Sequence, residues 1–251
     1  TLGQHKVGYI FFVQQNLFLI SSLKNNILFE TLFNYYFFKL FFTIFCVCIL
    51  INGTNFCDGI NTLSIGNYFL ITMFLISASS KYNLDISSFY LDRIILILII
   101  ILIFNFFGKA FLGDSGSYML GGYFAYVVIT FFEKNFFISP VYVLLLLWYP
   151  CFEVLFSIIR KKIVKKNISS PDNYHLHHLI FRQMKTIFKP EKKNYFLCSS
   201  FSALPIHIYN FLIYFIGTLN IYNSMTLTCL LFLNISIYFF VYNFLFKRNA
   251  R

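Results

Sequence analysis

A chain of 251 residues that is 59% hydrophobic and only 12% charged, with a mean hydropathy of +0.72, is too apolar for a soluble domain of this length. The composition places it in a lipid bilayer. The net charge of +11 reads as membrane topology and headgroup contact, with no nucleic-acid partner implied.

A membrane-crossing helix needs about 20 mostly apolar residues. In chain order the runs lie near 7–23, 33–52, 64–79, 90–107, 117–132, 140–159, 195–217 and 225–246, which predicts eight spans and an all-α polytopic membrane protein. The first carries Gln14, Gln15 and Asn16 and must face protein or water; the third and fifth are short. The opening TLGQHK has neither Met nor a basic segment, so no cleavable signal peptide is expected. The six cysteines show no secreted framework or paired metal spacing and read as reduced and structural.

Eight spans put both termini on one side. That side collects Lys6, Lys109, ten Lys/Arg between Arg160 and Lys193, and Lys247, Arg248 and Arg251, fifteen in all, against five opposite. The excess marks it as cytoplasmic. The same side receives the three loops rich in polar residues or glycine, at 51–66, 108–122 and 160–181, whereas the opposite loops are short and featureless. Glu153 is the acid that falls well inside a span.

In NGTNFCDGIN, a continuing helix would set Asn55, Asp58 and Asn61 at i, i+3 and i+6, roughly on one face with Asn52 a turn earlier. A hydrated turn explains the same residues. In FLGDSGS, Asp114 lies between glycines, and Ser115 and Ser117 are placed to cap a helix starting near Tyr118. Such a helix end can hold a phosphate, with the carboxylate gripping Mg²⁺ that bridges phosphates. An ordinary capped loop fits equally well, and no Walker A loop is present. His175, His177 and His178 lack the further ligands a zinc site would need. They stand as exposed loop residues or, behind a basic stretch, as phosphate or sugar contacts.

The ordered set NxxNFxDGxN, FLGDSGS and SPDxxHLHHLI resembles the polyprenyl-phosphate N-acetylhexosamine-1-phosphate transferases. The HLHH form is similar to the WecA/TagO branch rather than the MraY branch, and FEVLFSIIR resembles the family's FDTLxxxxxR with Glu153 in place of Asp. The resemblance implies a single membrane-embedded transferase domain over 1–251, with a cytoplasmic loop over 160–194 carrying the histidines, in the bacterial cytoplasmic membrane. It implies transfer of a sugar 1-phosphate, GlcNAc-1-phosphate being expected, from a UDP-N-acetyl sugar to undecaprenyl phosphate with release of UMP, at the start of cell-envelope glycan synthesis. The cofactor implied is Mg²⁺, with Mn²⁺ as a substitute; membrane lipids and a second copy of the chain are further expected partners.

By motif position, Asp114 maps onto the family's metal-binding Asp, Phe111 onto the aromatic that stacks on uracil, and Asp58 onto the first Asp of the family's acidic loop. His175, His177 and His178 map onto the motif near the diphosphate; Asn52, Asn55, Asn61 and Ser115 are candidate substrate contacts. Three departures stand against this. Asn61 replaces the second Asp of that loop, Asn173 replaces the usual Arg, and the family's adjacent Asp-Asp pair is absent from the 251 residues. The expectation is a truncated chain of an eleven-span protein, an inactive membrane scaffold being the alternative and a transporter the remaining one.

Overall fold

The computed structural model describes residues 32–86, 89–165 and 173–249. Among these the chain is helical without strands. The helices are α1 (Tyr36–Cys57), α2 (Leu63–Tyr82), α3 (Leu91–Phe106), α4 (Gly113–Lys134), α5 (Pro140–Leu146), α6 (Trp148–Ile163), α7 (Leu176–Phe188), α8 (Tyr195–Leu219) and α9 (Ser224–Asn249), with a 3₁₀ turn at Lys192–Asn194 before α8.

Seven of the eight expected spans fall on these helices; the run at 7–23 lies outside the described residues. Among the described residues four helices are long and apolar enough to cross a membrane, α1, α2, α8 with its 3₁₀ lead-in, and α9, or five if α5 and α6 make one bent span. Of the seven expected spans that fall among the described residues, four or five therefore qualify by length and composition. α3 has 16 residues, about 24 Å of helix, and α4 carries four glycines in its first half.

Two boundaries differ from the sequence reading. The span expected over 140–159 is broken, α5 and α6 meeting at 75°. Pro150 lies in the first turn of α6 and has no N–H to continue the ladder from α5. The helix expected near Tyr118 begins at Gly113, with no side-chain cap. Ser115 and Ser117 therefore sit inside α4, Ser117 donating back to the Asp114 carbonyl at 3.0 Å. Among the described residues of 160–194, α6 runs to Ile163 and α7 is an amphipathic helix with Leu176, His177 and Leu179 on its buried side.

α1 packs against α4 and α6, α2 against α3 and α8, and α7 is clasped by α8 and α9. Polar side chains lock these contacts where water is absent. Asn67 of α2 accepts from Asn210 and Tyr214 of α8, each at 2.9 Å, and Asn210 accepts from the Trp148 indole of α6 at 3.1 Å. Such groups must be paired internally in a bundle of this kind. At one end, Ser139 and Ser224 join the starts of α5 and α9 at 2.8 Å. The other end holds the 58–62 and 107–112 loops and α7. Asn105 ties the two loops together, accepting from the Thr62 amide at 2.5 Å and donating to the Ala110 carbonyl at 2.7 Å.

Candidate active site

α1 keeps its helical ladder through Cys57, and Asp58 caps it, its N–H donating to Thr54 and Asn55. The helix, rather than the hydrated turn, thus presents Asn55 and Asp58 on one side, but it ends before Asn61. The Asn55 amide donates to Asp114 Oδ1 at 2.9 Å and to Ser117 Oγ at 3.1 Å, joining the end of α1 to the first turns of α4. Gly113 has φ +62°, a conformation that glycine adopts without steric cost. Its N–H donates to the Asp58 carboxylate.

Burial pushes the Asp58 carboxyl up to about 6, the Gly113 amide opposes this, and the Asp114 charge adds to it. Two neighbouring carboxylates, one of them holding its proton unusually tightly, make a place where a cation is favourable. Among the described residues no group of three His, Cys, Asp or Glu forms a closed metal cage. A pair of carboxylates fits Mg²⁺, which keeps waters and takes further oxygens from substrate phosphates.

The raised Asp58 value sets a sign for stability. The folded state takes the proton before the unfolded chain, whose group titrates near 3.8, so stability falls as pH rises through about 6. In chelator-treated protein, Asp58→Asn should melt at or above the wild-type temperature at pH 7, and the gap should narrow as pH falls through about 6 and close only below 3.8. A wild-type curve indifferent to pH over this range would refute the burial argument.

The histidines arrive from the other side. His177 is fully buried and His175 nearly so at 4% exposure, which removes the reading of the cluster as exposed loop; His178 is half-buried. A Cβ on Gly59 would lie 2.7 Å from His178 Cε1 and 3.1 Å from His177 Nε2, so the residue after Asp58 touches both rings. The Phe56 ring lies 5.0 Å from that of His175. Burial, with neighbouring His178 and His175, drives the His177 pKa well down, so it stays neutral.

The structure thus brings Asn55, Asp58, Asp114 and the three histidines to one end of the bundle, although they come from three stretches of chain. Phe111 is 69% exposed just before α4, and Ser115 is exposed in its first turn. Asn61 is held against the start of α8, its N–H donating to Ser199 Oγ at 3.0 Å. Asn52 is not drawn in. It is exposed, and its amide donates to the Cys48 carbonyl one turn back at 2.7 Å.

One residue outside the expected site belongs to this neighbourhood. Glu153 of α6 is fully buried, its Oε2 bonded to His175 Nδ1 at 2.9 Å and its Oε1 accepting from the Leu176 amide at 3.2 Å. An acid inside an apolar span is itself the sequence signal that marks it.

The model for glycosyl transferase family 4 matches residues 2–132, more than half of the chain. The chain is similar to the undecaprenyl-phosphate α-N-acetylglucosaminyl 1-phosphate transferase of Thermotoga maritima, 42% identical over 76 residues, 30% of this chain and 25% of that protein. It is 28% identical over 144 residues to a probable undecaprenyl-phosphate N-acetylglucosaminyl 1-phosphate transferase of Bacillus subtilis, covering 54% and 38%. To the Escherichia coli K12 undecaprenyl-phosphate α-N-acetylglucosaminyl 1-phosphate transferase it is 31% identical over 154 residues, covering 58% and 41%. The chain spans about a quarter to two fifths of the length of these curated relatives. No solved structure matches it. With apolar helices of membrane-crossing length and a family model matched over more than half its length, this multi-pass membrane protein belongs to glycosyl transferase family 4.

Proposed function

We propose that the protein transfers an N-acetylhexosamine 1-phosphate, GlcNAc-1-phosphate by preference, from its UDP-sugar to undecaprenyl phosphate, releasing UMP. The observation that carries this reading is the meeting of Asp58 and Asp114, linked through Asn55 and Gly113, with the histidines packed on Gly59. The named activities of the relatives point the same way.

Phosphoryl transfer between two anions demands charge neutralisation and alignment. Bound Mg²⁺ would neutralise the diphosphate, held by Asp114 with Asp58. Asn55 fixes the direction of the Asp114 carboxylate through its 2.9 Å bond, which sets the charge before substrate arrives. His178, the least buried of the three histidines, is the one to donate a hydrogen bond to the phosphates. The exposed Phe111 ring offers a face for the uracil. On this reading the site-bearing end of the bundle faces the cytoplasm, the basic side of the membrane.

The full chain encoded by the gene, purified in detergent, should release UMP when given undecaprenyl phosphate, UDP-GlcNAc and Mg²⁺, and should stop on chelation. Absence of UMP with every UDP-N-acetyl sugar would refute the proposal and leave a membrane scaffold.

A further inference from the structure

FEVLFSIIR carries two charged groups, Glu153 and Arg160, in a mostly apolar stretch of helix. Glu153 and Arg160 are seven residues apart, two turns of α6, and so project from the same side. Both reach the chain around His175. The Arg160 guanidinium donates to the carbonyl of Tyr174, the residue before, and to the Tyr242 hydroxyl at 2.7 Å. Glu153 takes the His175 ring and the amide of Leu176, the residue after. The Leu176 amide is one of the orphan donors at the start of α7, and a carboxylate there is favoured by the helix dipole.

The same carboxylate reaches the second histidine. Glu153 Oε1 stands 3.9 Å from His177 Nδ1, and the Tyr149 hydroxyl, one turn back on α6, is 3.3 Å from that nitrogen. His177 Nε2 is buried with no hydrogen-bond partner among the described residues and lies against Gly59. The stacked rings of His175 and His177, 5.4 Å between centroids, leave His178 on their outer flank, its ring 4.4 Å from that of His177.

We propose that Glu153 is a positioning residue: from α6 it fixes the His175 and His177 rings and the first turn of α7, and thereby aims His178 across Gly59 towards the phosphates. This rests on the transferase reading for its kinetic part, and on the geometry alone for the rest. A carboxylate is required because it accepts from a ring nitrogen and a backbone amide at once, one oxygen to each. A glutamine has one oxygen for these two donors; with that oxygen on the Leu176 amide, its NH₂ faces His175 Nδ1 and forces the other tautomer, moving the ring proton to Nε2.

The test compares Glu153→Gln and Glu153→Asp with the wild type in the full protein, by turnover, thermal melting and mass-spectrometric mapping of histidines acylated by diethyl pyrocarbonate. The wild type should label at His178, with His175 and His177 protected. Glu153→Gln should expose His175 and His177 to labelling, and lower kcat about 100-fold with KM for the UDP-sugar within threefold, the size expected when catalytic geometry slips by about an ångström. Glu153→Asp should restore protection and at least a tenth of kcat. Wild-type labelling in Glu153→Gln would overturn the proposal, as would equal exposure and equal loss of melting temperature in both variants, which would make Glu153 a packing residue. If the wild type releases no UMP, the transferase reading fails and the labelling pattern still decides the positioning claim.

Discussion

Asp114→Asn should reduce UMP release by about 10³- to 10⁴-fold, the scale of several kcal/mol of lost charge stabilisation at a metal-assisted phosphoryl centre. The substitution is nearly isosteric, and an asparagine oxygen can still accept from the Asn55 amide that now binds Asp114 Oδ1 at 2.9 Å. The melting temperature should therefore stay within a few degrees of wild type. What disappears is the negative charge beside Asp58. Relief of that charge should also let Asp58 ionise at lower pH, since Asp114 contributes to holding its carboxyl at about 6. Ser117→Ala is the comparison: it deletes one Asn55 contact at 3.1 Å and leaves the carboxylate, costing on the order of 1 kcal/mol of stability and little turnover. Near-normal UMP release from Asp114→Asn would remove Asp114 from the reaction.

The polar loops could be read from the sequence because glycine, asparagine and aspartate interrupt long apolar runs, and in a membrane such interruptions fall at helix ends or functional sites. Helical spacing puts Asn55 and Asp58 on one face where turn chemistry fits them as well, and the continuation of α1 through Cys57 decides between the two. Asn61 escaped that arithmetic because Asp58 ends the helix. The serines of FLGDSGS misled for a physical reason: serine is a good cap, but a glycine with positive φ can begin a helix with no cap, and Gly113 does. The bend between α5 and α6 falls close to Pro150, midway along the apolar run 140–159, where the proline removes a ladder N–H that mean hydropathy does not register. The pairing of Glu153 with His175, 22 residues apart, depends on how α6 and α7 meet. Sequence marks both as unusual and cannot say that they touch.

The helix contact beneath the site sets the largest expected loss of stability. Gly53 of α1 lies so close to α6 that an added Cβ would sit 2.6 Å from the Pro150 carbonyl carbon and closer still to its oxygen. The obstacle is backbone, so no rotamer change relieves it. On its other flank α1 meets Gly121 of α4, whose Cβ would stand 2.9 Å from the Ile51 Cα. α1 is thus wedged between two helices through glycines, the close approach that small residues permit in membrane bundles. Gly53→Ala should push α1 from α6 and cost at least about 1–3 kcal/mol, the usual range for overpacking. The displacement should reach the site as well, because Asp58 follows Gly53 by five residues and Glu153 follows Pro150 by three. A shift of about 1 Å there predicts a loss of turnover near 10²-fold in the protein that remains folded. Gly122→Ala supplies the control, since its Cβ would meet Ile51 Cδ1 at an ordinary 3.8 Å. That variant should match or slightly exceed wild-type stability, as alanine favours the helix over glycine by up to about 1 kcal/mol. Thermal melts in detergent, followed by size-exclusion recovery, separate the two variants; equal melting of Gly53→Ala and Gly122→Ala would mean that α1 and α6 are not in backbone contact.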